Sequence, residues 1–174
     1  MLKKLYIFVE GDDDERFMKG VMKPLFRHSY DDVEVIQYAQ LKSEKVDNFI
    51  KAITTLGFDY IFTGDMDFAQ SVNEKKSYLK RRFNLLEDKF TFIVITEIES
   101  WYLAGVTRDT AAALEIEYAE RTDAITKEDF NKYYRGNFKS RIDFMRELIK
   151  RFSMDIAREK NRSFDYFYKM NILS

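Results

Sequence analysis

Five consecutive apolar residues, Leu5-Tyr6-Ile7-Phe8-Val9, stop abruptly at Glu10-Gly11 and give way to Asp12-Asp13-Asp14. A run with no polar face fits a strand covered on both sides, which is the situation inside a parallel sheet. Parallel neighbours need long crossovers, usually helical. The chain supplies them. Asp12–Asp14 can cap and charge-stabilise a helix whose apolar stripe is Phe17, Met18, Val21 and Met22, with Pro24 expected to end or kink it. Asp32–Tyr38 reads as a second strand, rich in β-branched residues. A helix capped by Ser43 follows, with Val46, Phe49, Ile50 and Ile53 on its buried face and Gly57 at its C′ position. Asp59–Thr63 is the third strand, and Ser71–Leu86 a helix with Lys75, Lys76, Lys80, Arg81 and Arg82 on its exposed side. Phe90–Thr96 is the fourth strand. The order βαβαβαβ predicts a parallel sheet with right-handed crossovers.

Beyond the fourth strand the pattern turns helical, over 107–121, 126–134 and 138–160. The last of these buries Ile142, Met145, Leu148, Ile149, Phe152 and Ile156. Thr126 and Asp129 form a capping-box pattern, and Ser163 caps a terminal helix holding Phe164 and Phe167. Neither linker nor repeat interrupts the 174 residues. The expected organisation is one domain over 1–174, an α/β core at 1–106 with a helical extension at 107–174 packed on it. The apolar runs are too short to span a bilayer and the amino terminus shows no cleavable signal, so a cytoplasmic protein without membrane attachment is expected.

Three of the four strands end in acid: Glu10, then Asp65 and Asp67, then Glu97 and Glu99. Neighbouring strands lie about 4.8 Å apart, and carboxylates at such spacing raise one another's pKa. Either some protonate or a cation sits among them. With no cysteine and one histidine, His28, the available ligands are oxygens, which favours Mg²⁺ or Mn²⁺ over zinc or copper. Mg²⁺ commonly completes its shell with water and substrate phosphate, so phosphoryl chemistry follows.

Net charge is −1 but uneven. Residues 132–174 carry 11 Lys and Arg against 5 Asp and Glu, a net +6, whereas the remainder carries 18 against 25, a net −7. Arg141, Arg146, Lys150, Arg151, Arg158 and Arg162 are therefore candidate phosphate contacts on nucleic acid. Trp101 is expected to anchor core, and His28 to lie on the surface.

Glu10-Gly11 after one apolar strand, with Asp65-x-Asp67 after another, resembles the signature of the Toprim domain, the catalytic domain shared by topoisomerases, primases and small nucleases. Glu10-Gly11-x-x-Asp14 is similar to the helix-opening acid of OLD-family and related Toprim nucleases. Thr96–Ala104 resembles the E-x-E-S/A-W segment of a small stand-alone prokaryotic Toprim-like group, and Ser163-Phe164 is similar to a late feature of the same group. The resemblance implies a Toprim/Rossmann-like sheet and a metal-dependent nuclease acting on DNA or RNA. It implies Glu10 as general acid/base or metal ligand, Asp65 and Asp67 as Mg²⁺ ligands with catalytic roles, and Asp14 and Glu97 as ligands of a second metal with Glu99 beside them. Gly11 would admit close backbone approach. An ATPase partner, as OLD-type nucleases have, is a further implication. The chain departs from the family pattern in placing Gly64 before the Asp-x-Asp and no glycine soon after Asp67, and no lysine is identifiable as the catalytic one. With no separate strand-passage or template-binding module within these 174 residues, a topoisomerase or primase is not expected. Two other readings stand beside the nuclease. One is a catalytically silent Toprim-like subunit. The other is a receiver-like module in which Asp65 accepts a phosphoryl group and Asp12 or Asp13 holds Mg²⁺.

Overall fold

The computed structural model describes residues 2–134 and 136–173. By internal contact the chain divides into two compact units, Met1–Val94 and Ile95–Ser174.

The first unit is an open, wholly parallel sheet in the order β2-β1-β3-β4, with β1 Lys4–Val9, β2 Asp32–Gln37, β3 Asp59–Asp65 and β4 Thr91–Val94. This is the α/β architecture of Toprim and Rossmann-like folds. In β1, Leu5, Ile7, Phe8 and Val9 are all buried, as expected of a central strand covered on both faces. Phe8 belongs to a cluster with Tyr38, Val46, Ile50, Ile53, Tyr60, Phe62, Leu79 and Phe83. The Tyr38 ring stacks on Phe62 at 4.3 Å and meets Phe83 edge-on at 5.5 Å. Burying each large side chain stabilises the fold by about 1.5–3 kcal/mol.

The crossovers depart from expectation in detail. Helix α1 (Asp12–Phe17) runs through a π-helical turn, Met18–Met22, into α2 (Lys23–Phe26). Pro24 thus does not end the helical path; it follows directly on the π-helical turn that interrupts the α-helical pattern, near the start of α2. Helix α3 (Ser43–Thr55) buries Val46, Ile50 and Ile53, but Phe49 is 37% exposed. Its N-cap residue is Lys42, without a side-chain cap, rather than Ser43. The helix ends as expected at Gly57, φ +72°, with Phe58 N–H donating to Ile53 O and Gly57 N–H to Thr54 O, both hydrogen bonds of a Schellman motif. Helix α4 (Val72–Arg82) is capped by Ser71, whose Oγ accepts from Glu74 N–H.

The second unit is helical: α5 Glu99–Ala104, α6 Arg108–Ala113, α7 Lys127–Tyr134, α8 Arg141–Lys150, α9 Met154–Lys160 and α10 Arg162–Asn171. The helix expected over 107–121 stops at Ala113, because Glu115 turns left-handed at φ +53°. Ile116 N–H reaches Ala111 O and Glu115 N–H reaches Ala112 O, the same Schellman pattern without its glycine. The helix expected over 138–160 is two helices. Ser153 caps the second through Ile156 N–H, and its own N–H donates to Gly105 O. The Phe152 ring packs so closely on Gly105 that a Cβ there would lie 2.3 Å from it. Met145 and Leu148 are buried, whereas Ile142 is 42% exposed.

A buried polar network holds this unit together. Trp101 Nε1 and Ile95 N–H both donate to Ser163 Oγ, which donates to Asn161 Oδ1. Asn161 Nδ2 donates to Ser100 Oγ and Thr122 Oγ1, and Asn161 Oδ1 also caps α10 by accepting Phe164 N–H. The cap is therefore Asn161, and Ser163 instead joins Trp101 to it. Trp101 is fully buried against Phe164 and Phe167.

Candidate functional site

In the order β2-β1-β3-β4 the chain runs outward from β1 to β2, then returns to the other side of β1 for β3. That reversal leaves a crevice beyond the carboxyl ends of β1 and β3, where open α/β sheets hold their ligands. Phe8 pairs with Phe62. Extending this register sets Glu10 opposite Gly64, with Asp65 one residue further. Three sequence candidates, Glu10, Asp65 and Asp67, thus belong to the mouth of the crevice, and β3 is longer than expected because it carries Gly64 and Asp65 as strand residues.

Asp14 comes to the same place through helix α1. It is buried, and its Oδ2 accepts Gly11 N–H at 3.3 Å, the return half of a capping box. Gly11 is extended (φ −149°) and a Cβ there would meet nothing within 4 Å, so the space above it is open. Gly64 is different. A Cβ on it would stand 3.2 Å from both the Tyr38 hydroxyl and Leu79 Cδ1, and 3.8 Å from Lys75 Cε. Glycine at this position lets a tyrosine and a lysine close over the end of β3.

Tyr38 is the floor of the site. Its hydroxyl donates to Thr63 O at 2.9 Å. Its pKa is raised well above the ordinary value, by burial first and then by the charges of Glu10, Asp14 and Asp65. The charges of all three carboxylates thus bear on one buried hydroxyl. The Glu10 carboxyl is also pushed up, by burial first and next by Asp67. Lys75, the Asp65 backbone N–H and Arg82 pull in the other direction.

Lys75 is the residue that sequence reading misplaced. Expected on the exposed side of α4, it is 6% exposed, and its ammonium is paired with the Asp67 carboxylate. The signal was present in the spacing: Lys75 and Leu79 are four residues apart on one helix face, and both are buried. Asp67 itself adopts φ +48°, a left-handed backbone that aspartate visits more readily than most residues.

Glu97 and Glu99 belong to the second unit, and both have structural partners. Glu97 Oε2 accepts Lys127 N–H at 2.5 Å at the start of α7. Glu99 is buried at the start of α5 and paired with Arg141, which also donates to Asn131 Oδ1 at 2.9 Å. Thr96, just before them, is held at φ +67°, and its hydroxyl donates to Asp123 O.

The basic candidates of this unit sit largely beside acids. Arg146 faces Asp143, Lys150 and Arg151 face Glu147, and Arg158 meets Asp165 at 3.0 Å. Arg162 is exposed, with its backbone N–H donating to Asp123.

All donors at the crevice are oxygens, which suits a hard cation such as Mg²⁺ or Mn²⁺. Among the described residues, no three carboxylates or imidazoles converge into a ready-made cation cage. A cation held by one or two carboxylates, with water and phosphate completing its shell, needs no such cage. Glu10, Asp65 and Asp67 fit that kind of binding. Among the described residues, no helix is long and apolar enough to cross a membrane.

No family model matches the chain, and no curated protein matches it. Among solved structures, the C-terminal region of the Burkholderia pseudomallei OLD protein is similar to it, with a TM-score of 0.46 and 18% sequence identity. The match covers 94% of this chain and 97% of that one. At this level of likeness, the reading of the site rests on this chain's own residues.

Proposed function

We propose that this chain is a Toprim-like nuclease that cleaves phosphodiesters of nucleic acid with the help of Mg²⁺ or Mn²⁺. The observation that carries the reading is the placement of Glu10 with Asp65 and Asp67 at the switch point between β1 and β3. Asp65 and Asp67 would hold the cation, with Glu10 or Asp14 beside them. When bound, the cation supplies charge stabilisation to phosphoryl oxygens.

The rest of the chemistry falls to the chain's own side chains. Glu10, its pKa raised by burial and by Asp67, is suited to take a proton from water or give one to a leaving oxygen, since a raised carboxyl titrates closer to working pH. Lys75 orients Asp67 through their ion pair and places positive charge where a phosphate enters. It thereby fills the place of the lysine not identifiable from sequence. Asp14 fixes the Gly11 backbone at the start of α1. In this proposal Glu97 and Glu99 serve the helix starts of the second unit.

The test is incubation of DNA and RNA substrates with Mg²⁺ or Mn²⁺, comparing wild type with Asp65→Ala and Glu10→Ala. Metal-dependent cleavage lost in both variants is the expected result. No cleavage by wild type with either metal on any substrate contradicts the proposal. It would leave a silent subunit that awaits a partner such as an ATPase. The receiver-like reading finds less support, because the described residues contain four strands and a receiver uses a lysine at the end of a fifth.

A further inference from the structure

Beside Asp67 the first unit carries a cavity of about 550 Å³, between the loop after β3 and helix α4. That volume lies within the range of small-ligand pockets, about 300–1,000 Å³. Its composition is unusual for a solvent-facing loop. Phe68, immediately after Asp67, is fully exposed, and Tyr78 on α4 is 52% exposed. Fully solvated phenylalanine gains nothing for the fold. Here two aromatic rings line one cavity with Lys75 and Arg81. Of the two acids on its wall, Asp67 is paired with Lys75 and Glu74 is engaged by the Gln70 N–H at 2.6 Å. Arg81 is exposed and, among the described residues, makes no ion pair. Around it α4 also carries Lys76, Lys80 and Arg82.

Aromatic rings beside cationic side chains are the combination that holds unpaired nucleotides: bases stack on the rings while a cation such as Arg81 follows the phosphates. A base pair inside a duplex does not offer its face in this way. We infer that the Phe68–Tyr78 cavity is a subsite for an unstacked nucleobase, so that the strand presented to Asp67 is single-stranded or locally opened DNA or RNA. Phe68 and Tyr78 stack on the base, and Arg81 contacts the neighbouring phosphate. The inference rests on the proposed phosphodiester-cleaving centre at Asp65 and Asp67, and it deepens that proposal by naming the form of the substrate.

Binding is measured by fluorescence anisotropy in EDTA, so that no cleavage intervenes. The probes are labelled oligodeoxythymidylate and oligouridylate of about ten nucleotides, and a duplex of the same length. Wild type is expected to bind the single strands at least about ten-fold more tightly than the duplex. Phe68→Ala and Tyr78→Ala should each weaken single-strand binding about ten-fold, whereas Phe68→Trp keeps it. Arg81→Ala should flatten the salt dependence by a slope of about 0.7. The two oligonucleotides show whether deoxyribose or ribose is preferred. Equal affinity for duplex and single strand overturns the inference, as does no single-strand binding by wild type. It is also overturned if both alanine variants bind as wild type does, even where Phe68→Ala alters self-association of the chain. Phe68-dependent binding without cleavage in Mg²⁺ or Mn²⁺ would sink the nuclease proposal and leave the subsite standing.

Discussion

Glu10 and Glu99 are both taken from water by the fold, in different units and under different terms. Glu99 is the more deeply buried, and it meets the guanidinium of Arg141. Glu10 meets the negative charge of Asp67, with Lys75 and Arg82 only partly compensating, and its pKa rises. A buried carboxylate with its own arginine is an element of structure. One held near other carboxylates destabilises the fold, and such arrangements concentrate at functional sites. Acidic residues after a strand are therefore informative only once their partners are known.

Variants of the two carboxylate sets should separate activity from stability. Glu10→Gln is expected to lower cleavage by about 10²–10⁴-fold, the usual contribution of an acid–base residue, with single-turnover kinetics as the readout. The same variant should leave the melting temperature at neutral pH unchanged or raised. The sign follows from the raised pKa: the ionised group opposes folding above its folded-state pKa, and the penalty fades as pH falls toward the ordinary carboxylate range. Arg141→Ala should do the reverse, costing about 3 kcal/mol in urea unfolding while the folded fraction keeps its cleavage rate. A matching loss of activity per folded molecule would break the distinction between the two units.

Asn161→Ala is expected to cost about 2 kcal/mol, since it removes the α10 cap and strands Ser100, Thr122 and Ser163 around a buried gap. Urea unfolding checks this as well. A pH-dependent effect concerns Lys160, buried against the Leu103 and Val106 carbonyls. Burial lowers its pKa from 10.5 to about 8, with Glu120 and Arg108 acting in opposite directions. A lysine with a lowered folded pKa is a full burden below that value, and the burden lifts as the folded form deprotonates first. Wild type should thus gain stability between about pH 8 and 10.5 relative to Lys160→Met. A constant difference across that window would contradict the lowered pKa.

The sheet was legible because its signals are local. Leu5–Val9 is apolar on both faces, and glycine at residue 57 ends α3. Helix α6 ends in the same hydrogen-bond pattern as α3, but with Glu115 in the left-handed position, so no residue type announced the stop. The break between α8 and α9 depends on Phe152 packing against Gly105, a contact 47 residues apart in sequence that no periodicity encodes. In the site, Glu10, Asp14, Asp65 and Asp67 could be read from their positions after strands. Lys75 was harder to read, because five cations on one short helix resemble a solvated face, and only its spacing from Leu79 set it apart from the other four before Asp67 is seen to draw it inward. The fate of Glu99 was hidden for the same reason: Arg141, its partner, lies 42 residues away.

The most direct test of the carboxylate centre is the melting temperature of the protein across a titration of Mn²⁺ and Mg²⁺, because a ligand that binds only the folded state raises it. Wild type should show a concentration-dependent rise that Asp65→Asn abolishes and Arg141→Ala, from its lower starting point, retains. A wild-type melting temperature unmoved by either cation, or a rise that survives both Asp65→Asn and Asp67→Asn, would contradict a cation site at the mouth of β1 and β3.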